Sequence, residues 1–241
     1  TWLLYRAIIV RDGLSDLAAA LRHPSPGLRR FLLLLLPCAA AVAASILWLD
    51  RPLFLLFAGM GGVAHRIFRF ITEFGVSTPY LVIAVLLAAA FGIAARGADD
   101  RARQSALALA AWRSAFVFAA VAGTGLAADL LKPVFGRARP KLYVQGHIFG
   151  FTWHGAHSAY WSFPSGHSVT IVALATALSL IDRRWRMPMM ILALLVMASR
   201  VVLGEHYLSD VIAGAFIAWS GTLATATLFR RAGAELALNS P

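Results

Sequence analysis

Residues 187–210 read MPMMILALLVMASRVVLGEHYLSD, an apolar run that ends near Ser199-Arg200 and leads into a short polar turn. The run at 187–203 is apolar enough for a transmembrane helix, since a bilayer core about 30 Å thick needs roughly 20 such residues. A second apolar run follows at 208–229. Two predicted spans joined by a turn with a histidine and an aspartate indicate polar chemistry at the ends of membrane helices.

The rest of the chain repeats this alternation of apolar runs and short charged segments. Of its 241 residues, 60% are hydrophobic and only 14% are charged, which is too apolar for a soluble domain of this length. Further spans are predicted at 31–49, 80–95, 106–131 and 166–181. We therefore predict an all-α polytopic membrane protein with six transmembrane helices.

Two segments outside these runs differ in character. Residues 1–30 mix aliphatic side chains with five arginines, which predicts an amphipathic segment on the membrane surface. Residues 52–75 carry charges among aromatic and aliphatic side chains and predict an interfacial helix between the first two spans. Residues 31–231 then form one membrane domain, and 232–241 form a C-terminal tail.

The basic residues are unequally distributed between the two predicted faces. Six spans put both termini on one side, and 14 of the 22 Lys and Arg residues fall there. These are Arg6, Arg11, Arg22, Arg29, Arg30, Arg96, Arg101, Arg103, Arg113, Arg183, Arg184, Arg186, Arg230 and Arg231. The positive-inside rule makes that side cytoplasmic and predicts that the polar segment 132–164 faces the periplasm or exterior of a bacterial inner membrane.

The net charge of +11 does not indicate nucleic-acid binding, because the basic residues are scattered between apolar runs. Some of them instead fit an anionic substrate. A phosphate at a membrane surface needs several fixed cationic donors. Lys132, Arg139 and Arg200 lie at the ends of predicted spans on the outer face and are candidates for this role.

The stretch Pro164-Ser165-Gly166-His167 precedes the fourth span. Ser165 is a suitable N-cap, and Gly166 lets the backbone approach a ligand, so the amide groups at the helix start can point at phosphate oxygens. His167 then lies in the first turn. We predict that this turn forms one wall of a phosphate site.

His206 and Asp210 are separated by four positions, which on an α-helix puts both side chains on one face. Asp210 would then accept from one imidazole nitrogen and leave the other free to attack phosphorus. His167 is the available general acid for the leaving group. The sequence has no carboxylate cluster suited to Mg²⁺, so we predict neither a metal nor another cofactor.

These residues form three parts that resemble the signature of the type 2 phosphatidic acid phosphatase superfamily. The parts are Lys132-x6-Arg139-Pro140, Pro164-Ser165-Gly166-His167 and Ser199-Arg200-x5-His206-x3-Asp210. The resemblance implies a metal-independent lipid phosphatase with six transmembrane helices. By position it implies phosphate binding by Lys132, Arg139, Ser165, Gly166 and Arg200, and catalysis by His206, Asp210 and His167. Arg137 is a further candidate for contact with the lipid headgroup.

The sequence leaves the substrate and part of the reaction open. Candidate lipids are phosphatidylglycerophosphate, phosphatidic acid, undecaprenyl diphosphate and lipid A phosphate, and the oligomeric state is not indicated. One alternative is a phosphotransferase that uses the same site with a lipid acceptor. Another is a lipid transporter or binding protein, although transporters more often show repeats or interrupted helices near the membrane midplane.

Overall fold

The computed structural model describes residues 26–155, 157–234 and 236–237, and this part of the chain is helical. The first 25 residues of the predicted amphipathic segment, and residues 235 and 238–241 of the predicted tail, lie outside it. The α-helices are α1 (Pro26–Ala44), α2 (Asp50–Phe57), α3 (Gly62–Thr72), α4 (Thr78–Arg96), α5 (Arg101–Phe135), α6 (Pro140–Gly146), α7 (Gly166–Ile181), α8 (Arg186–Val202) and α9 (Leu208–Arg231).

The chain divides into two compact units, Thr1–Ala40 and Ala41–Pro241. In the first unit, the described residues belong to the apolar helix α1. In the second unit, α7 packs against α5, α8 and α9. Buried residues of α7, among them Val169, Ile171 and Leu174, form part of its hydrophobic core. All the predicted site residues belong to this second unit.

Five segments of the described chain are long and apolar enough to cross a membrane. They are Phe31–Phe57, Gly62–Arg96, Arg101–Phe135, Arg183–Val202 and Leu208–Arg231. Helix α7 is apolar but has only 16 residues, so the count of six spans remains a prediction. Large apolar side chains such as Leu86, Leu130 and Leu194 point outward, as expected of helices that face lipid.

The boundaries of the last three apolar helices agree with the predicted spans to within about two residues. The prediction for 52–75 was wrong in one respect, because two helices, α2 and α3, replace the single interfacial helix. The break between them contains Gly59 and Gly61, and Gly62 has φ +67°. Glycine disfavours a continuous helix, which explains the interruption.

Candidate active site

The predicted polar clusters come together because the ends of packed helices converge. Lys132 lies in the last turn of α5, Arg200 lies in the last turn of α8, and α7 begins at Gly166. The cations of Lys132, Arg139 and Arg200 and the ring of His206 all interact electrostatically with His167. The structure therefore gathers residues from all three motifs in one region.

His206 lies in the turn between α8 and α9, and its side chain is almost fully buried. Its Nδ1 atom is 2.8 Å from the carbonyl oxygen of Ser162. Because a carbonyl oxygen only accepts hydrogen bonds, this contact assigns the ring proton to Nδ1. The lone pair then lies on Nε2, which leaves that nitrogen as the nucleophilic atom.

Asp210 lies beside the His206 ring as predicted, but the two residues do not share a helix. Helix α9 begins at Leu208, so His206 lies before it, and its Nδ1 is 3.6 Å from Asp210 Oδ2. The Asp210 carboxylate also accepts from the Tyr207 amide at 2.8 Å and from the Ser162 hydroxyl at 2.6 Å. Asp210 thus lies next to the His206 ring and holds two residues beside it, while the nearest acceptor for Nδ1 is the Ser162 carbonyl.

The environment of His206 favours its neutral form. Burial lowers the pKa of its imidazole below the ordinary value of 6.5, and the charges of Arg139 and Arg200 act in the same direction. Hydrogen bonding and charge from Asp210 oppose them without reversing the shift. A neutral imidazole is the form that can attack an electrophile.

Arg139 and Arg200 are held next to each other by Glu205. The Glu205 Oε2 atom is 3.5 Å from Arg139 Nη1 and 3.8 Å from Arg200 Nη2. Arg200 Nη1 also donates to Thr72 Oγ1 at 2.7 Å, whereas the buried Arg200 Nε finds no acceptor among the residues described. Two oriented guanidinium groups, one with an unused buried donor, are suited to binding a phosphate.

Lys132, Gly166 and His167 line a cavity of about 220 Å³ at the start of α7. Lys132 Nζ pairs with Asp129 Oδ1 at 2.6 Å, and it lies so close to Gly166 that a Cβ there would be 3.2 Å from Nζ. The His167 ring packs against Gly75, where a Cβ would be only 2.6 Å from the ring. Small residues therefore let the cation and the imidazole approach the start of α7.

Ser165 occupies the predicted N-cap position of α7, but its side chain does not cap the helix. Its Oγ accepts from the Ser168 hydroxyl at 3.0 Å. Its backbone amide donates to the Asp210 carbonyl at 3.1 Å, which ties the start of α7 to α9. Ser165 is fully buried, so its contribution to the site comes through this turn geometry.

The expectation that Arg137 contacts the lipid headgroup is corrected by its burial. Its side chain has 0% exposure and forms ion pairs with Asp50 and Asp210. Aromatic rings surround the guanidinium, with the Tyr207 ring centroid 4.7 Å away. Its Nε atom has no hydrogen-bond partner among the described residues, but that atom is buried as well, so the group is not accessible to a lipid headgroup.

Sequence analysis missed three residues that position the site. Thr72 holds Arg200, Ser162 holds His206, and Asp50 pairs with Arg137. An acid within an apolar stretch is a signal that could have pointed to Asp50.

Over the described ranges, no group of three or more His, Cys, Asp or Glu residues is arranged to hold a metal ion.

Comparisons with known proteins agree with these motifs. The family model described as the PAP2 superfamily matches residues 113–234. A protein of Rhizobium etli named lipid A 1-phosphatase is 38% identical over 201 residues, which cover 80% of this chain and 82% of the relative. A protein of the same name from Rhizobium johnstonii is 45% identical over 134 residues, 55% of this chain and 54% of the relative.

Among solved structures, the chain resembles the transmembrane PAP2-type phosphatidylglycerolphosphate phosphatase of Bacillus subtilis. The TM-score is 0.59 at 20% identity, and the match covers 84% of this chain and 95% of that protein. At this level of identity the likeness shows a shared fold.

Proposed function

The chain belongs to the PAP2 superfamily and is a membrane lipid phosphatase, and on that premise we propose that it hydrolyses the phosphate monoester of a saccharolipid of the lipid A type, through a phosphohistidine on His206 and without a metal ion. The observation that carries the proposal is the buried His206 ring. Its Nδ1 is bound to a carbonyl oxygen, and the guanidinium groups of Arg139 and Arg200 lie nearby.

In the first chemical step, His206 Nε2 attacks phosphorus while the bond from phosphorus to the lipid oxygen breaks. The negative charge of the bound lipid phosphate favours the protonated form of His167, which donates its proton to the departing lipid oxygen. Lys132, Arg139 and Arg200 stabilise the negative charge on the three remaining phosphoryl oxygens, a task that metal ions perform in other phosphoryl-transfer enzymes.

In the second step, water hydrolyses the phosphohistidine. His167 accepts a proton from the water as its oxygen attacks phosphorus, the bond between nitrogen and phosphorus breaks, and inorganic phosphate leaves. The Gly166 amide and its neighbours in the first turn of α7 contribute further donors to the phosphate, and Ser165 holds that turn in place through its bond to the Asp210 carbonyl. His206 returns to its neutral form, held again by the Ser162 carbonyl.

The choice of a saccharolipid is supported by the relatives and by a second cavity. Both Rhizobium relatives are named lipid A 1-phosphatase. A cavity of about 320 Å³ includes Gly204, two positions before His206, and its wall carries Lys141, His65 and Gln145 together with aromatic side chains. A cation, an imidazole, an amide and aromatic rings are suited to a phosphorylated sugar headgroup.

The proposal also includes an orientation. With the six predicted spans, both termini lie on one side together with 14 of the 22 basic residues, and this distribution supports cytoplasmic termini and an active site that faces the periplasm. Phosphate would then be released outside the cytoplasm.

The test is release of inorganic phosphate by purified protein in detergent with excess EDTA. The panel comprises lipid A, phosphatidic acid, phosphatidylglycerophosphate and undecaprenyl diphosphate. We expect release from lipid A at the highest kcat/KM, its loss in His206→Ala, and its retention in His157→Ala, an exposed histidine outside the site.

Release that survives in His206→Ala would overturn the mechanism. A preference for a glycerophospholipid would overturn the substrate class while leaving the mechanism intact. Loss of phosphate from the substrate only when an acceptor lipid is added, with the phosphate recovered on that acceptor and not as inorganic phosphate, would instead favour phosphotransfer.

A further inference from the structure

A buried network of three charged residues lies beside the turn that carries His206. Asp50, Arg137 and Asp210 all have fully buried side chains. Arg137 Nη2 donates to Asp50 Oδ2 at 2.5 Å, and Arg137 Nη1 donates to Asp210 Oδ1. One cation between two carboxylates gives the network a formal net charge of −1.

Asp50 also holds the first turn of α9, although it belongs to α2. Its Oδ1 accepts from the Ser209 amide at 3.0 Å, and its Oδ2 accepts from the Ser209 hydroxyl at 2.6 Å. The Ser209 amide is one of the free donors at the helix N-terminus, where a carboxylate is favourable. Asp50 therefore acts as a cap for α9 supplied by a different helix.

The network is connected to His206 through two residues, Tyr207 and Ser162. Asp210 Oδ2 accepts from the amide of Tyr207, the residue after His206, and from the hydroxyl of Ser162. The carbonyl of Ser162 contacts His206 Nδ1 at 2.8 Å. A displacement of Asp210 would thus move the backbone that carries the ring and the acceptor that orients it.

We propose that Asp50 is a positioning residue for phosphoryl transfer, which fixes the start of α9 and shares Arg137 with Asp210, so that the Asp210 carboxylate next to the His206 ring keeps part of its negative charge uncompensated. The inference rests on the proposed function. When His206 is phosphorylated on Nε2 and keeps its proton on Nδ1, the ring is cationic. Without Asp50, Arg137 and Asp210 would neutralise each other, and that cation would lose its compensating charge. Asp50 precedes the three motifs and lies outside residues 113–234.

The variant Asp50→Asn tests this role, because it keeps the size of the side chain and removes its charge. We expect kcat to fall about 10- to 100-fold, by analogy with the loss of residues that hydrogen-bond to and orient the ligands of a catalytic metal, with KM changed less than about twofold. The acid limb of kcat/KM should move to lower pH, since a lost negative charge disfavours the protonated imidazole. The other groups that face His206 are Asp210, Arg139, Arg200 and His167, and all remain.

Thr222→Val is the matched control. It removes a fully buried polar group from α9, the helix that Asp50 contacts, and the Thr222 hydroxyl has no hydrogen-bond partner in the part of the chain that the structure describes. We expect kcat and the acid limb to stay unchanged. The position of the limb does not depend on the fraction of active protein, so partial misfolding would not imitate the expected shift.

If Asp50→Asn does not fold, Ser209→Ala takes its place, because it removes a hydroxyl that links Asp50 to Arg137 and leaves the ion pair. We expect about a 3- to 10-fold fall in kcat. The inference is overturned if the folded variants keep the parent's kcat and acid limb while His206→Ala is inactive. If His206→Ala retains activity, or the parent releases no phosphate from any lipid, the proposed function itself fails.

Discussion

Replacing Glu205 by glutamine should tighten the binding of phosphate. The Glu205 carboxylate lies between Arg139 and Arg200, at 3.5 Å and 3.8 Å from their nearest nitrogens. It therefore competes with a phosphate for the same two guanidinium groups. Glutamine keeps the length of the side chain but removes the negative charge, so a phosphate would no longer compete with this carboxylate for the two cations.

The size of the effect follows from exposure. The Glu205 side chain is 51% exposed, which makes each contact comparable to a surface ion pair of about 0.5 kcal/mol. Two such contacts sum to about 1 kcal/mol, which corresponds to about a fivefold change in a dissociation constant. Because surface charges are screened by salt, the effect should shrink at high ionic strength.

The assay is product inhibition of lipid phosphate hydrolysis by added inorganic phosphate. We expect the inhibition constant of Glu205→Gln to be about fivefold lower than that of the parent at low salt, with a similar fall in KM. Asp99→Asn, which removes an exposed acid from the connection between α4 and α5, serves as the control and should match the parent. An inhibition constant that is unchanged or higher in Glu205→Gln would refute the competition.

Two further predictions concern the nucleophile and the close packing beside it. Because burial lowers the pKa of His206 below 6.5, the imidazole stays neutral into mildly acidic solution, and the acid limb of kcat/KM should inflect below about pH 6.5; an inflection at or above pH 7 would contradict this. In Gly214→Ala, a methyl group would lie 2.7 Å from the Ser165 carbonyl oxygen, so we expect a stability loss of about 1–3 kcal/mol and lower activity. Gly123→Ala, with nothing within 4 Å, should show neither change in thermal unfolding and phosphate-release assays.

The identity of the gathered side chains was predictable because each motif lies at the end of an apolar run. Because each run is about as long as a membrane is thick, the lengths of the runs determine which polar residues lie at the same face of the membrane. The same reasoning failed at 52–75, where glycines divide the predicted helix into α2 and α3. It also failed at His206, because Gly204 adopts φ +65° and the chain turns before α9 begins.

The supporting residues could not be predicted, because their contacts join distant parts of the chain. Asp50 and Arg137 are 87 positions apart, and Thr72 and Arg200 are 128 apart. Ser162 acts through its backbone carbonyl, a group that every residue possesses and that has no sequence signature. Only the folded arrangement reveals which carbonyl and which acid lie next to the catalytic turn.

The most direct test of the account is to trap the covalent intermediate. The protein is mixed with a lipid substrate labelled in the phosphate to be removed, in excess EDTA, and quenched within milliseconds under alkaline conditions. We predict labelled protein whose phosphate is stable to base and released by acid, as a phosphoramidate requires, and no labelling in His206→Ala, which should also lose roughly 10⁴-fold or more in activity. Label on a residue other than His206 would contradict this mechanism. Normal turnover by the His206→Ala variant would contradict it as well.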